Sequence, residues 1–452
     1  MPRNVYLVGS VPMANAKDVF EAVSAALGSR IKRIPDGETG ERGDWITWLE
    51  PVFADNPAFV KSGEFFRVHA SGTGRERYTL KPGIGMENVQ FPNLLYADIA
   101  AKSYATFRRL KDNRKIAADT KFQVDLVPAH SVVWLFLVEK LHAAIDPIYN
   151  DAVKREIDKI AALVPHGELA IQLDVASAVF ARLERNESGR YGQTKAEMQE
   201  RFAAIVTDLG NRVPAGVDLI YHLCYGDSGH RHVIEPTDMG DMVEFANRVS
   251  RQIARPIQLI HMPVPRNRAD DAYFAPLRRL ELRPETELCL GLVHYTDGIE
   301  GARGRLAAAK NYVRDFSIAT ECGFGRRDPA TVPALLRLHA DIADLDRTET
   351  KRTRLPPSRP RSCIRRFLSS FGTLGEGDKS QFVSRATFVI ARSGSDAAIQ
   401  NCLAAIASRP GLLAMTSNLV LAARFLAPEL CCTARKRASK QIRGGGAPKG
   451  AY

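Results

Sequence analysis

Along the first 350 residues, short apolar runs alternate with longer stretches whose apolar positions recur every three or four residues. The short runs are rich in Val, Ile and Leu: 5–10 (VYLVGS), 31–36, 122–127, 169–175 (LAIQLDV), 217–224 (VDLIYHLC), 257–262, 288–293 and 317–322 (SIATEC). They read as buried strands. The long stretches 17–29, 152–164, 195–210, 239–254 and 302–316 carry one apolar stripe each and read as amphipathic helices. Eight strands alternating with helices predict an α/β fold of parallel βα units, a (β/α)8 TIM barrel. An open doubly wound sheet is the alternative, weakened because no G-x-G-x-x-G follows the first strand. Residues 37–120 interrupt the rhythm after the second strand and read as an elaborated loop with helices, capping the barrel mouth.

The rhythm stops near Thr348. The chain beyond it opens with KRTRLPPSRPRSCIRRF, a Pro- and Arg-rich stretch. Residues 1–348 are thus expected to form the barrel domain. Residues 349–452 read as a basic, disordered or weakly helical appendix, either without a function of its own or a basic arm. The charge count agrees with this division. The net charge of +12 would suit a nucleic-acid partner, but 351–452 hold 18 Lys+Arg against 4 Asp+Glu, and 1–350 hold 45 against 47. The body is near neutral, so no phosphate-backbone footprint is expected on the barrel. No apolar run reaches the length of a membrane span, and the N-terminus has no secretory pattern. Seven scattered cysteines do not form a disulfide framework, so a reducing, cytoplasmic location is expected.

In such a barrel, catalytic groups gather at the C-terminal strand ends. Those ends supply Asp174, then His222 and Cys224, then His261, then His294 and Asp297, then Glu321 and Cys322. Residues i and i+2 of a strand share a face. His222 and Cys224 can therefore look into the mouth together, joined by Cys322 from the closing strand. Two thiolates with one or two imidazoles are a zinc donor set. A lone strand cysteine is more often a small buried hydrophobe, and Cys289 reads so.

The stretches LIYHLCYGD (219–227) and ATECGFG (319–325), with LVGSVP (7–12) and IQLDVASAV (171–179), resemble the catalytic barrel of cobalamin-independent methionine synthase, in the uroporphyrinogen decarboxylase/methionine synthase superfamily. The resemblance covers about residues 4–345 and is to short, single-barrel members. It implies zinc held by His222, Cys224 and Cys322; where the family has a glutamate ligand this chain has His261, which either completes a Cys2His2 set or leaves the fourth position open to substrate. It implies that Asp174 orients a small thiol substrate and that His294 serves as the acid. The thiolate would attack a methyl or alkyl donor. Asp174-Val175-Ala176 lacks the family's Glu-Pro, which leaves the thiol open. The loop DGETGERGDWITW (36–48) offers Asp36, Glu38 and Trp45 to a substrate pocket, with Asp297 from the later strand end. A lyase or hydrolase of the same fold, or a degenerate member with a structural metal, are the alternatives.

Overall fold

The computed structural model describes residues 3–67, 74–226 and 232–345. The appendix lies outside the described residues. The strands are β1 (Arg33–Pro35), β2 (Phe59–Phe66), β3 (Arg75–Leu80), β4 (Lys121–Leu126), β5 (Leu169–Val175), β6 (Asp218–Leu223), β7 (Leu259–Pro263), β8 (Glu287–Val293) and β9 (Ser317–Thr320). The helices are α1 (Ala16–Leu27), α2 (Glu50–Ala54), α3 (Tyr96–Asp112), α4 (Ala129–Phe136), α5 (His142–Leu163), α6 (Ser177–Glu184), α7 (Lys195–Arg212), α8 (Gly240–Gln252), α9 (Asp271–Phe274), α10 (Gly298–Lys310) and α11 (Val332–Ala343). Seven strands form one curled parallel sheet in the order β1-β4-β5-β6-β7-β8-β9, and β2 pairs with β3 as a separate antiparallel hairpin.

The expected first strand, 5–10, is not a strand in the structure. Only Val5 forms parallel bridges, to Ile31 beside β1 and to Ile318 in β9. The physical reason lies just beyond it. The Leu7 and Val8 carbonyls are taken by side-chain amides: Gln123 Nε2 donates to Leu7 O (3.1 Å) and Gln172 Nε2 to Val8 O (2.7 Å). Those bonds satisfy the backbone as a neighbouring strand would. The architecture described is therefore a seven-stranded parallel half-barrel whose two edges meet across one residue.

Each helix read from the sequence is present, though the ones read over 152–164 and 302–316 begin earlier, at His142 and Gly298. Asn15 caps α1, its side chain accepting from the Asp18 N–H (3.0 Å), and Val19, Phe20, Val23 and Leu27 are buried on one stripe. Thr194 caps α7 in the same way, accepting from the Glu197 N–H (3.2 Å). The helix read over 302–316 ends at Lys310. There the Tyr312 and Val313 amides both turn back to the Ala309 carbonyl (2.9 and 3.0 Å), which closes the last turn. Inside the curl, Tyr6, Val8, Ala170, Ile220, Leu259, Cys289 and Ala319 form a dry layer. This layer floors the C-terminal end of the sheet.

At the opposite end of the sheet, Asp218 opens β6 and takes two cations, Arg33 Nε at 2.5 Å and Lys121 Nζ at 2.6 Å. Arg33 is buried. Asp218→Ala leaves that guanidinium desolvated and unpaired, and should destabilise the fold by about 3 kcal/mol. A urea titration followed by circular dichroism checks this, with native secondary structure retained before the transition.

Candidate metal centre and its cavity

The ladder sets the polar strand ends side by side. Asp174 on β5 is opposite His222 on β6, and His222 is opposite His261 on β7. Cys224 lies two residues past His222; its amide donates to the Val175 carbonyl (2.9 Å) and its Sγ accepts from the Gly226 N–H (3.2 Å). Cys322 arrives from the turn after β9. The first segment of the chain holds that turn: Phe324 N–H donates to Ser10 O (2.6 Å) and Gly325 N–H to Ser10 Oγ (3.1 Å). Gly323 has no room for a side chain, since a Cβ there would overlap Ser10 Oγ. G-S near the N-terminus and C-G-F-G near residue 322 are thus two halves of one joint.

The ligand atoms of His222, Cys224 and Cys322 all lie within 4.8 Å of one another. Arg326 Nη2 stands 3.8 Å from Cys322 Sγ, a cation beside a sulfur that works best as an anion. His261 is not in this group. Its Nδ1 is 2.8 Å from His222 Nδ1, and its Nε2 is 3.0 Å from the Thr320 carbonyl. Burial pushes the pKa of His222 well below the ordinary histidine value and that of His261 down to about 4, so both rings are neutral at pH 7.

The three residues border a cavity of about 610 Å³. Glu38, Asp125, Asp174 and Trp45 line it as well. Asp125 accepts from Gln123 (2.9 Å) and Asp174 from Gln172 (2.7 Å), the same i, i+2 pairing on neighbouring strands. Burial, then the charge of Glu38, raises the pKa of both aspartates well above normal. Burial pushes Glu38 up to about 7, with Arg42 pulling the other way and Asp36 adding to the rise. Glu38 and Trp45 both have positive φ, 48° and 51°, which costs a residue with a side chain about 1–3 kcal/mol. Strained backbone of this kind is held by its surroundings.

The brace for Glu38 is Asp36. Its carboxylate accepts from the Glu38 N–H (2.9 Å), Arg42 Nη2 (2.7 Å) and Ser103 Oγ (2.7 Å). Asp36 therefore sits beneath the loop and not in the wall of the large cavity. His294 and Asp297 are also placed away from it. His294 Nε2–H donates to the Val264 carbonyl (2.8 Å), and its Nδ1 lies 3.6 Å from Glu321. Glu321 also pairs with His232 (2.9 Å); burial alone would lower the His232 pKa, but Glu321 and Glu235 raise it to about 9. Asp297 grips Arg305 through both carboxylate oxygens (2.7 and 2.9 Å), and Arg305 is only 1 % exposed. Asp125 and Arg326 belong to the cavity and were not singled out from the sequence. The repeated Gln-x-Asp of 123–125 and 172–174 is the signal for the first; nothing local marks the second.

No protein-family model matches the chain, and no curated protein matches it in sequence. Its likeness is to solved structures. A B12-independent methionine synthase from Shewanella sp. W3-18-1, in complex with selenomethionine, matches with a TM-score of 0.52 at 13% identity, over 77% of this chain and 99% of that one. A structure from Listeria monocytogenes, provisionally named a vitamin-B12-independent methionine synthase, matches with a TM-score of 0.44 at 15% identity, over 75% of this chain and 98% of that one. At such identities the first match speaks for the fold alone.

The Glu38 carboxyl gives a pH test. Its folded pKa of about 7 lies above its ordinary 4.5, so between those values the folded chain binds more protons than the unfolded chain. Stability is then greatest on the acid side of this window and falls as pH rises through 7. The urea midpoint of the wild type should drop between pH 5 and 7.5, and Glu38→Gln should flatten that slope. An unchanged slope in the variant would assign the effect to other groups.

Proposed function

We propose that the chain is a zinc-dependent transferase of the methionine-synthase-like kind, which activates a small thiol for attack on an electrophilic methyl or alkyl carbon. One observation carries this: two thiols and a neutral imidazole meet at the edge of a cavity with room for a small molecule. That donor set fits zinc, and His222, Cys224 and Cys322 would hold it. Bound there, the metal supplies the Lewis acidity that keeps a coordinated thiol deprotonated at neutral pH.

The remaining work falls to the chain. Asp174, fixed by Gln172, faces the cavity and binds a cationic group on the thiol substrate, such as an ammonium. A desolvated carboxylate gains most from a cation that enters with it. Glu38, with a pKa near neutrality and a place in the wall, is suited to hand a proton to the departing atom. His294 is less suited, because its Nε2–H is committed to a backbone carbonyl. Trp45 and the β2–β3 hairpin residue Phe65 give the donor an apolar surface and limit water. The half-barrel and residues 5–10 are taken together as a (β/α)8 barrel closed through Val5. Residues 1–348 carry the activity on this proposal, and 349–452 take no part.

Purified full-length chain should contain about one zinc, and Cys224→Ser and Cys322→Ser should each lose it. Stoichiometric zinc in both variants would sink the ligand assignment. Titrating the zinc form with an aminothiol such as cysteamine should release a proton per bound thiol at pH 7.

A further inference from the structure

The ring of His222 offers two nitrogens, and only one can be a ligand without reversing the hydrogen bond made by the other. We propose that His261 is the positioning residue of this site: with the Thr320 carbonyl it fixes His222 as the Nδ1–H tautomer, through a gap that Gly291 leaves open. This rests on the zinc reading above for its purpose, though not for its geometry.

The direction of the chain of bonds is set at its far end. A carbonyl oxygen can only accept, so the contact of 3.0 Å between His261 Nε2 and Thr320 O requires the proton on Nε2. A neutral His261 then presents a lone pair at Nδ1. The ring nitrogen 2.8 Å away, His222 Nδ1, must carry a proton to meet it. His222 Nε2 is left with the lone pair, in a ring that borders the cavity. The reverse arrangement sets His261 Nε2 and Thr320 O lone pair to lone pair in a dry interior, where that costs most. Both rings are buried, 3 % and 0 % exposed, where an unpaired ion is costly.

The relay runs from β6 through β7 to β9, and β8 stands between the last two. Gly291 on β8 is at the crossing. A Cβ there would lie 2.7 Å from His261 Nε2 and 2.8 Å from both Thr320 O and Glu321 Cα. Gly291 is outside the left-handed region, so its backbone does not require glycine; the space does. The β8–β9 ladder also shifts register between Leu290 and Val293, around this point. Thr320 in turn bonds the Cys322 carbonyl through its hydroxyl (2.6 Å), which ties the relay to the strand end that delivers the third ligand.

The first test needs no metal. Metal-free full-length protein labelled with ¹⁵N-histidine should show, in a long-range ¹H–¹⁵N spectrum, His222 protonated on Nδ1 and His261 on Nε2. His222 protonated on Nε2, or on both nitrogens, overturns the proposal. The second test is zinc competition against a chromogenic chelator. His261→Phe should weaken zinc binding about 10–100-fold, and Gly291→Ala should weaken it in the same direction. His261→Asn, which can still accept from His222 Nδ1, should retain most of the affinity. Wild-type affinity in His261→Phe overturns the positioning role. A wild type that binds no zinc overturns the proposed function, while the ring assignment still decides the relay. If His261→Phe does not fold, the wild-type spectrum and His261→Asn decide it.

Discussion

The parallel register that places Asp174 beside His222 and His222 beside His261 is the constraint on which the upper end of the sheet depends. Strand neighbours are about 4.8 Å apart, so polar side chains at one height either satisfy each other or stay unsatisfied over the dry layer beneath. A slip of one residue would turn each of them to the opposite face. The ionic cluster of Arg33, Lys121 and Asp218 joins β1, β4 and β6 at the other end and opposes such a slip.

Given that register, the cavity is lined by groups of two kinds. The thiols and Arg326 line it, and Arg326 is close enough to Glu38 to act on its charge. Glu38, Asp125 and Asp174 line it too; burial holds all three pKa values up, and the charge of Glu38 adds to the rise at both aspartates. Repulsion is tolerated because the strands fix the two aspartates through Gln123 and Gln172, and Asp36 fixes the backbone that carries Glu38. Three buried acids in one lining are poorly matched to an anion and well matched to a ligand bearing positive charge. The same two glutamines take the carbonyls of Leu7 and Val8, so the groups that orient the acids also anchor the segment that bridges the sheet's edges.

Periodicity found the seven sheet strands to within two residues, because buried parallel strands are continuous apolar runs bounded by turn residues. It also placed His222, Cys224 and Cys322 at one height, and the structure brings them together. What it could not supply was direction. His294 and Asp297 stand at a strand end like the others, yet the Val264 carbonyl and Arg305 draw them away from the large cavity. Those partners come from other loops and helices, and no local spacing announces them. The segment at 5–10 has the composition of a strand and bonds the sheet's backbone at Val5 and Tyr6, but its Leu7 and Val8 carbonyls take side-chain amides from distant positions. The β2–β3 hairpin within 37–120 was hidden because β2 is largely exposed and lacks the apolar run of a buried strand. The 349–452 reading lies outside the described residues.

On the proposed reading, the choice between a catalytic and a structural metal turns on His261. A structural zinc is closed by four protein ligands, whereas a catalytic one keeps a position for substrate. The ladder puts His261 nearest to completing the set, being the direct neighbour of His222. Both its ring nitrogens are already engaged, one by His222 and one by Thr320. Rotating the ring to reach the metal would strand a carbonyl and an N–H in the dry interior, at about 1–3 kcal/mol for each. Holding His261 back therefore does two things at once. On that reading it would aim the His222 lone pair at the cavity and leave a metal held there one position for a molecule that the cavity admits.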